Sequence, residues 1–326
     1  MTRSHFLLKD LLVLLFFILF ASCISYSPTS DDEGLLFRVT NTGKPTSYIL
    51  GSMHGDGHRY TIEELKSIFP KLQVVFNDIQ VVITETNKNL KDSLVINDCV
   101  EAAKILMDTD RPDSLNTMPY GITYNSLLQG THYQVVDEYL NRQYPSTNYS
   151  IYKPAYWTLR LPFTLYADSM NAKSVDQCVY EYATLCGKKT MCLESYVDQM
   201  LSNVTILTDT LEFSKSLKEQ ARLLYEKITQ INSINTNYKN FHNSLHNYYV
   251  NSDKEGLDKL NSYLEDSIIY RHSISERNKK WMPRIDKLIQ ENPCLIIVGE
   301  RHLFGKDGLI PLLKGKGYLL EKLNKK

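Results

Sequence analysis

Tyr48-Ile49-Leu50-Gly51-Ser52-Met53-His54-Gly55 near the amino terminus and Leu295-Ile296-Ile297-Val298-Gly299-Glu300-Arg301-His302-Leu303 near the carboxyl terminus share one pattern. Each is an apolar run that reaches a glycine and continues as G-x-x-H. A short apolar run ending at Gly reads as a buried strand leaving a sheet into a loop. In open α/β sheets, ligands bind beyond the carboxyl ends of the strands. The two runs are therefore expected to deliver His54 and His302 to one edge of one sheet. Two imidazoles with a carboxylate beside them are the minimum for a catalytic transition-metal site.

Working outward, residues 35–50 read as two strands joined by a turn at Asn41-Thr42-Gly43-Lys44-Pro45. Thr61 reads as an N-cap, with Glu63 and Glu64 in the first turn of a helix that ends near Phe69-Pro70. Val81-Val82-Ile83-Thr84-Glu85 is β-branched and ends on a carboxylate. Strand, helix, strand is a βαβ unit, so a parallel pair is expected. From about residue 89 to 290 the pattern is mainly helical, clearest at 211–231 and 257–289, with Pro- and Tyr-rich interruptions around Pro112, Pro119, Pro145 and Pro154. A strand at 294–298, the second G-x-x-H turn, a short helix at 308–314, a C-cap at Gly315-Lys316-Gly317 and a strand at 318–323 close the chain. The expected fold is an α/β domain over residues 35–326. Its central mixed or mostly parallel sheet is built from both chain ends, and its large middle region is helical.

The chain has 326 residues, 43% hydrophobic and 23% charged, with formal net charge zero. This is globular composition without the basic field that nucleic acid requires. Tyr and Asn, abundant in the middle of the chain, suggest a polar, aromatic-rich surface there. At the amino terminus Arg3 and Lys9 accompany an apolar run at 11–20 that is short for a membrane span, followed by Ala21-Ser22-Cys23. This resembles a bacterial lipoprotein signal over residues 1–22, with cleavage before Cys23 and lipidation of it, although Phe20 departs from the usual aliphatic residue. An uncleaved anchor is the alternative. Either way the domain is exported to the cell envelope and tethered to a membrane through the polar stretch 23–34. Cys178, Cys186 and Cys192 lie close enough in sequence for one disulfide among them, whereas Cys294 reads as core.

The carboxyl-terminal block contains Arg277-Asn278-x-x-Trp281 and IIVGERHLFGKDGLIPLLKGKGYLLEKL; the amino-terminal block is GKPTSYILGSMHG, followed by VVITE; a third element is Cys192-Leu193-Glu194 with Gln199 downstream. Together, in this order, they resemble the TraB/GumN/PrgY group that includes the Tiki metalloproteases. The resemblance implies a metal-dependent hydrolase acting on a peptide or protein. His54, Glu85 and His302 are the candidate ligands of a divalent transition metal, with zinc, manganese and cobalt all suited to this donor set. Glu194 is a candidate general base or extra ligand. Arg277 is placed to steady an oxyanion or orient a carboxylate, or else forms a structural salt bridge. Glu300 departs from the small residue usual in the family; on an extended turn it points to the side of His302 and either adds a carboxylate or pairs with Arg301. A small-molecule esterase, a non-catalytic peptide binder and a haem binder are the competing readings. Two histidine pairs, His54/His58 and His242/His246, are each four apart. Gly55 and Gly57 break the first, and the second lacks the Glu of H-E-x-x-H and reads as a polar helix face. If Cys23 is lipidated, Cys23→Ala releases the protein from the membrane fraction or leaves an unprocessed precursor, as fractionation and mass measurement would show. Unchanged attachment with an intact amino terminus points to the uncleaved anchor.

Overall fold

The computed structural model describes residues 35–53, 58–89, 92–107, 117–158, 173–199, 201–202, 214–230, 243–251, 253, 255–257 and 270–323. A six-stranded sheet has the order β4-β3-β5-β2-β1-β6. The strands are β1 Leu36–Thr40, β2 Ser47–Ser52, β3 Val81–Thr84, β4 Lys189–Cys192, β5 Cys294–Gly299 and β6 Leu319–Lys322. β2, β3, β4 and β5 run parallel, while β1 is antiparallel to both of its neighbours. Every residue of β2, β3 and β5 is buried, which explains the consecutive apolar residues between the polar strand ends Ser47, Ser52 and Thr84: a parallel sheet covered on both faces leaves no position for alternation. The edge strands β4 and β6 keep exposed positions.

The sheet is α/β and mixed, as expected, but β2 and β3 are not neighbours. β5 lies between them, with Ser52 opposite Gly299 on one side and Ile83 opposite Ile296 on the other. The link from β2 to β3 holds two helices, α1 Ile62–Ile68 and α2 Leu72–Asp78. The first starts at the expected cap, where Thr61 Oγ1 accepts the Glu64 N–H at 3.2 Å.

The middle of the chain supplies α3 Ser93–Met107, α4 Tyr124–Leu127, α5 Thr131–Gln143, α6 Val175–Leu185 and α7 Leu217–Thr229. It is not wholly helical: β4 falls within it. A four-residue edge strand with one β-branched residue, Thr190, carries too little pattern to stand out from its surroundings. Nor are the tyrosines mainly a surface. Tyr124, Tyr149, Tyr152, Tyr156 and Trp157 form a second core with Val136 and Leu140 of α5 and Ala221 and Leu224 of α7. Their polar tips are satisfied internally, as where Tyr124 Oη donates to the Tyr152 carbonyl at 3.0 Å and Trp157 Nε1 to the Tyr149 carbonyl at 3.1 Å.

No disulfide forms among Cys178, Cys186 and Cys192. Cys178 and the C-cap Cys186 are separated by a helix rise of about 12 Å, beyond disulfide reach. Burial pushes the Cys178 thiol up to about 11. Cys294 is core, as read, with its Sγ 3.4 Å from Ser47 Oγ. Among the described residues no helix is long and apolar enough to cross a membrane.

The chain closes with α8 Glu276–Glu291, β5, a single 3-10 turn Glu300–His302, α9 Leu309–Gly315 and β6. The first glycine of G-x-x-H in β2 has a steric reason. A Cβ on Gly51 would lie 2.9 Å from Leu303 Cδ1 and 3.2 Å from Glu300 Cα. The turn that carries His302 thus rests directly on the Gly51 backbone. Gly51→Ala is expected to displace that turn and destabilise the domain by about 1–3 kcal/mol, the usual cost of overpacking, read as a lowered urea midpoint at unchanged slope.

Candidate functional site

β3 and β4 end side by side, with Thr84 opposite Cys192. The Glu85 carbonyl then accepts the N–H groups of Leu193 and Glu194, both at 2.9 Å, so the two glutamates leave the sheet together. β5 ends next to them, and its Gly299 N–H donates to Glu85 Oε1 at 2.6 Å. Across this edge lies α8, which presents Arg277, Asn278 and Trp281 on one buried face. A π-turn at Arg271–Ser275 precedes it; such turns recur at functional sites.

Arg277 stands at the centre. Its Nη2 donates to Glu85 Oε2 at 2.6 Å and to Glu194 Oε1 at 2.5 Å. Its Nε donates to Glu194 Oε1 at 3.1 Å, and its Nη1 reaches the Ser273 carbonyl at 3.1 Å and His302 Nε2 at 3.3 Å. These contacts engage all five guanidinium donors. Glu194 is held on its far side by Trp281 Nε1, which donates to Oε2 at 3.0 Å. Burial pulls the Arg277 pKa down, but the fields of Glu85 and Glu194 outweigh it and raise the net value. Burial also pushes the Glu194 carboxyl above its ordinary value, against the pull of Arg277 and Trp281.

His302 is buried, and its tautomer follows from its neighbours. Asn278 Nδ2 donates to the carbonyls of His302 at 3.1 Å and Asp307 at 2.8 Å. Its Oδ1 is therefore the atom 2.7 Å from His302 Nδ1. An acceptor there requires a proton on Nδ1, which leaves Nε2 with its lone pair. That lone pair faces Arg277 and lies 3.8 Å from Glu85 Oε1. The Trp281 ring packs against the imidazole, centroids 4.6 Å apart.

Of the residues singled out in the sequence, Glu85, Glu194, Arg277 and His302 converge. His54 lies outside the described residues; it follows Ser52, the end of β2, by two positions. Glu300 is buried in the 3-10 turn, so the extended geometry expected of it does not occur; its Oε1 lies 3.6 Å from Arg301 Nε. The sequence reading assigned no role to Asn278 or Trp281, although both sit on the helical face of Arg277, one and four residues on. It also passed over Lys88, whose Nζ lies 2.6 Å from Asp176 Oδ2. Asp176 in turn meets Ser52, its N–H donating to Ser52 Oγ at 3.2 Å. Burial lowers the Lys88 pKa, yet Asp176 raises it further, so this half-buried cation also stays charged.

The profile of the TraB/PrgY/gumN family matches residues 35–322. The chain belongs to the TraB/PrgY/gumN family. The match spans the whole sheet and every site residue just described, which makes the site part of the TraB/PrgY/gumN domain. A search of curated proteins and of solved structures returns no match.

Two of the candidate metal donors lie close together. His302 Nε2 and Glu85 Oε1 are 3.8 Å apart, close enough to share one ion. His302 is held through its other nitrogen by Asn278, and Glu85 Oε1 is oriented by the Gly299 N–H, as metal-binding side chains usually are. Removing the central cation would leave Glu85 and Glu194 buried without a counter-charge. Arg277→Gln is expected to cost about 3–5 kcal/mol of stability, measured by urea unfolding.

Proposed function

We propose that this chain is an exported, membrane-tethered, metal-dependent hydrolase acting on peptide or protein amide bonds. The observation that carries the reading is the fixed tautomer of His302, whose Nε2 lone pair faces the Arg277 guanidinium and lies 3.8 Å from Glu85 Oε1. His302 and Glu85, with His54 as third donor, would hold zinc, manganese or cobalt. Such an ion, when bound, acidifies a water and polarises a carbonyl. The chain's own residues prepare the place. Arg277 pairs with the Glu85 carboxylate and holds it in place beside His302. Glu194 and Trp281 keep Arg277 from turning away, which makes Glu194 a positioning residue. Trp281 walls the imidazole on one side. The tether rests on the apolar run at 11–20 and Ala21-Ser22 before Cys23, all outside the described residues.

One observation favours a second reading, a metal-free esterase or amidase in which His302 Nε2 takes the proton of the attacking water. The Arg277 Nη1 group, 3.3 Å from Nε2, is a positive charge next to the place a metal ion would take. Elemental analysis combined with turnover of a peptide library separates the two. The metal reading expects His302→Ala to carry one equivalent of metal fewer than the parent and to lose turnover with it. Glu194→Gln is expected to keep its metal and to lose more than about tenfold in rate through disordered Arg277. Undiminished turnover by chelated, metal-free protein supports the second reading, and undiminished turnover by His302→Ala defeats both.

A further inference from the structure

Outside the sheet-edge site, three side chains from separate segments meet beside α1. His58 Nε2 lies 2.9 Å and 3.0 Å from the two oxygens of Glu64, in the first turn of that helix. The His246 ring, from the helical stretch 243–250, packs against His58 with centroids 4.3 Å apart. One donor atom from each of the three lies within 4.8 Å of the other two, and all three residues are half-buried. We infer that His58, Glu64 and His246 form a second transition-metal site, of the zinc class, which clasps the segment after β2 to α1 and to the stretch 243–250.

Donors on one tetrahedral zinc lie about 3.4 Å apart, given bonds of about 2.0–2.2 Å. Half-buried side chains reach that spacing by small rotations. Two imidazoles and one carboxylate suit zinc, cobalt or nickel and disfavour calcium and magnesium, which take oxygen. The surroundings are those of a supported ligand set. His246 Nδ1 is 3.0 Å from Tyr60 Oη, a contact that fixes the orientation of the ring. Tyr60 is fully buried, its ring edge-on to Tyr249 at 5.8 Å. The backbone between is fixed as well: Lys173 N–H donates to the His58 carbonyl and Tyr60 N–H to the Lys173 carbonyl, both at 3.0 Å. An open depression of about 320 Å³ lined by Glu64, Ser67, Ile68, His246 and Val250 adjoins the cluster, so an ion held there would be reachable from solvent.

Occupancy would act on the first site. His58 is four residues past His54, and the stretch that carries His246 also carries Tyr249, whose Oη donates to the Gly51 carbonyl at 2.8 Å. An ion here therefore anchors the far end of the segment that begins at Gly51, without touching substrate.

The test uses zinc alone with the full chain, by competition titration and by the visible spectrum of the cobalt-substituted protein. His302→Ala is expected to retain one zinc equivalent, lost from the His302→Ala protein on adding His58→Gln or His246→Gln. Each added change should weaken binding at that equivalent by more than about 100-fold, since changes outside a ligand set alone cost about 10–100-fold. Thermal stabilisation by zinc should vanish with it. Glu64→Gln, at a half-exposed position on α1, carries the test if a histidine variant does not fold. Zinc binding by His302→Ala that is unchanged by these substitutions, or no stoichiometric zinc in His302→Ala at all, overturns the inference. Either result leaves the sheet-edge reading standing, because that reading is tested by the equivalent lost with His302.

Discussion

The guanidinium of Arg277 joins the ends of three strands to one helix. Glu85 comes from the end of β3, Glu194 from the turn after β4 and His302 from the turn after β5; all three reach α8 through this one group. Two carboxylates side by side under a covered sheet would repel each other and forfeit hydration. A planar cation with five fixed donors can bridge both and still reach a carbonyl and an imidazole. A lysine in its place has three donors on a flexible stem and could not span the same set. The arrangement gains little net stability over an apolar packing of the same volume, because three ions have lost water. Its value lies in geometry: each group it touches is held to one orientation.

The same helix also sets the proton on His302. Asn278 follows Arg277 directly, and its two amide hydrogens are taken by carbonyls of the turn that bears His302 and Asp307. The turn thereby fixes the amide, and the amide fixes the imidazole. Trp281, one helical turn beyond Arg277, fills the space between them, with the guanidinium 4.6 Å from its ring centroid. Arg-Asn-x-x-Trp is thus one device, a charge bridge, a tautomer lock and a wall on a single stripe of α8.

Much of this was legible in the sequence, for reasons of pattern. β2, β3 and β5 declared themselves because strands buried on both faces are apolar through their centres; Glu85 and His302 stood out as polar residues just past apolar runs, whereas Glu194 and Arg277 were picked out by the resemblance to the TraB/GumN/PrgY group. Neighbour relations were not legible. Nothing local in β2 or β3 says that a strand made two hundred residues later will separate them. β4 was missed because an edge strand of four residues needs no apolar alternation. The tyrosines read as surface because a phenol is amphipathic, and only tertiary packing decides which end counts. His246 read as a polar helix face because its companions, His58 and Glu64, are far off in sequence. In each case the missing information is non-local contact.

The place of β5 in the sheet has a consequence for how the chain comes to be folded. Its two hydrogen-bonding edges are claimed by β2 and β3, yet it follows both of them in the chain, beyond the whole helical middle region. Until β5 has been made, β2, paired with β1, and β3, paired with β4, each present one unpaired edge, and β1 awaits β6 in the same way. Folding of this kind has high contact order and is slow for its size. It leaves β-prone segments open to wrong pairing over the whole period of synthesis. A sheet built on this plan stays open until β5 and β6 have been made, and it depends on whatever keeps β2 and β3 apart in the meantime.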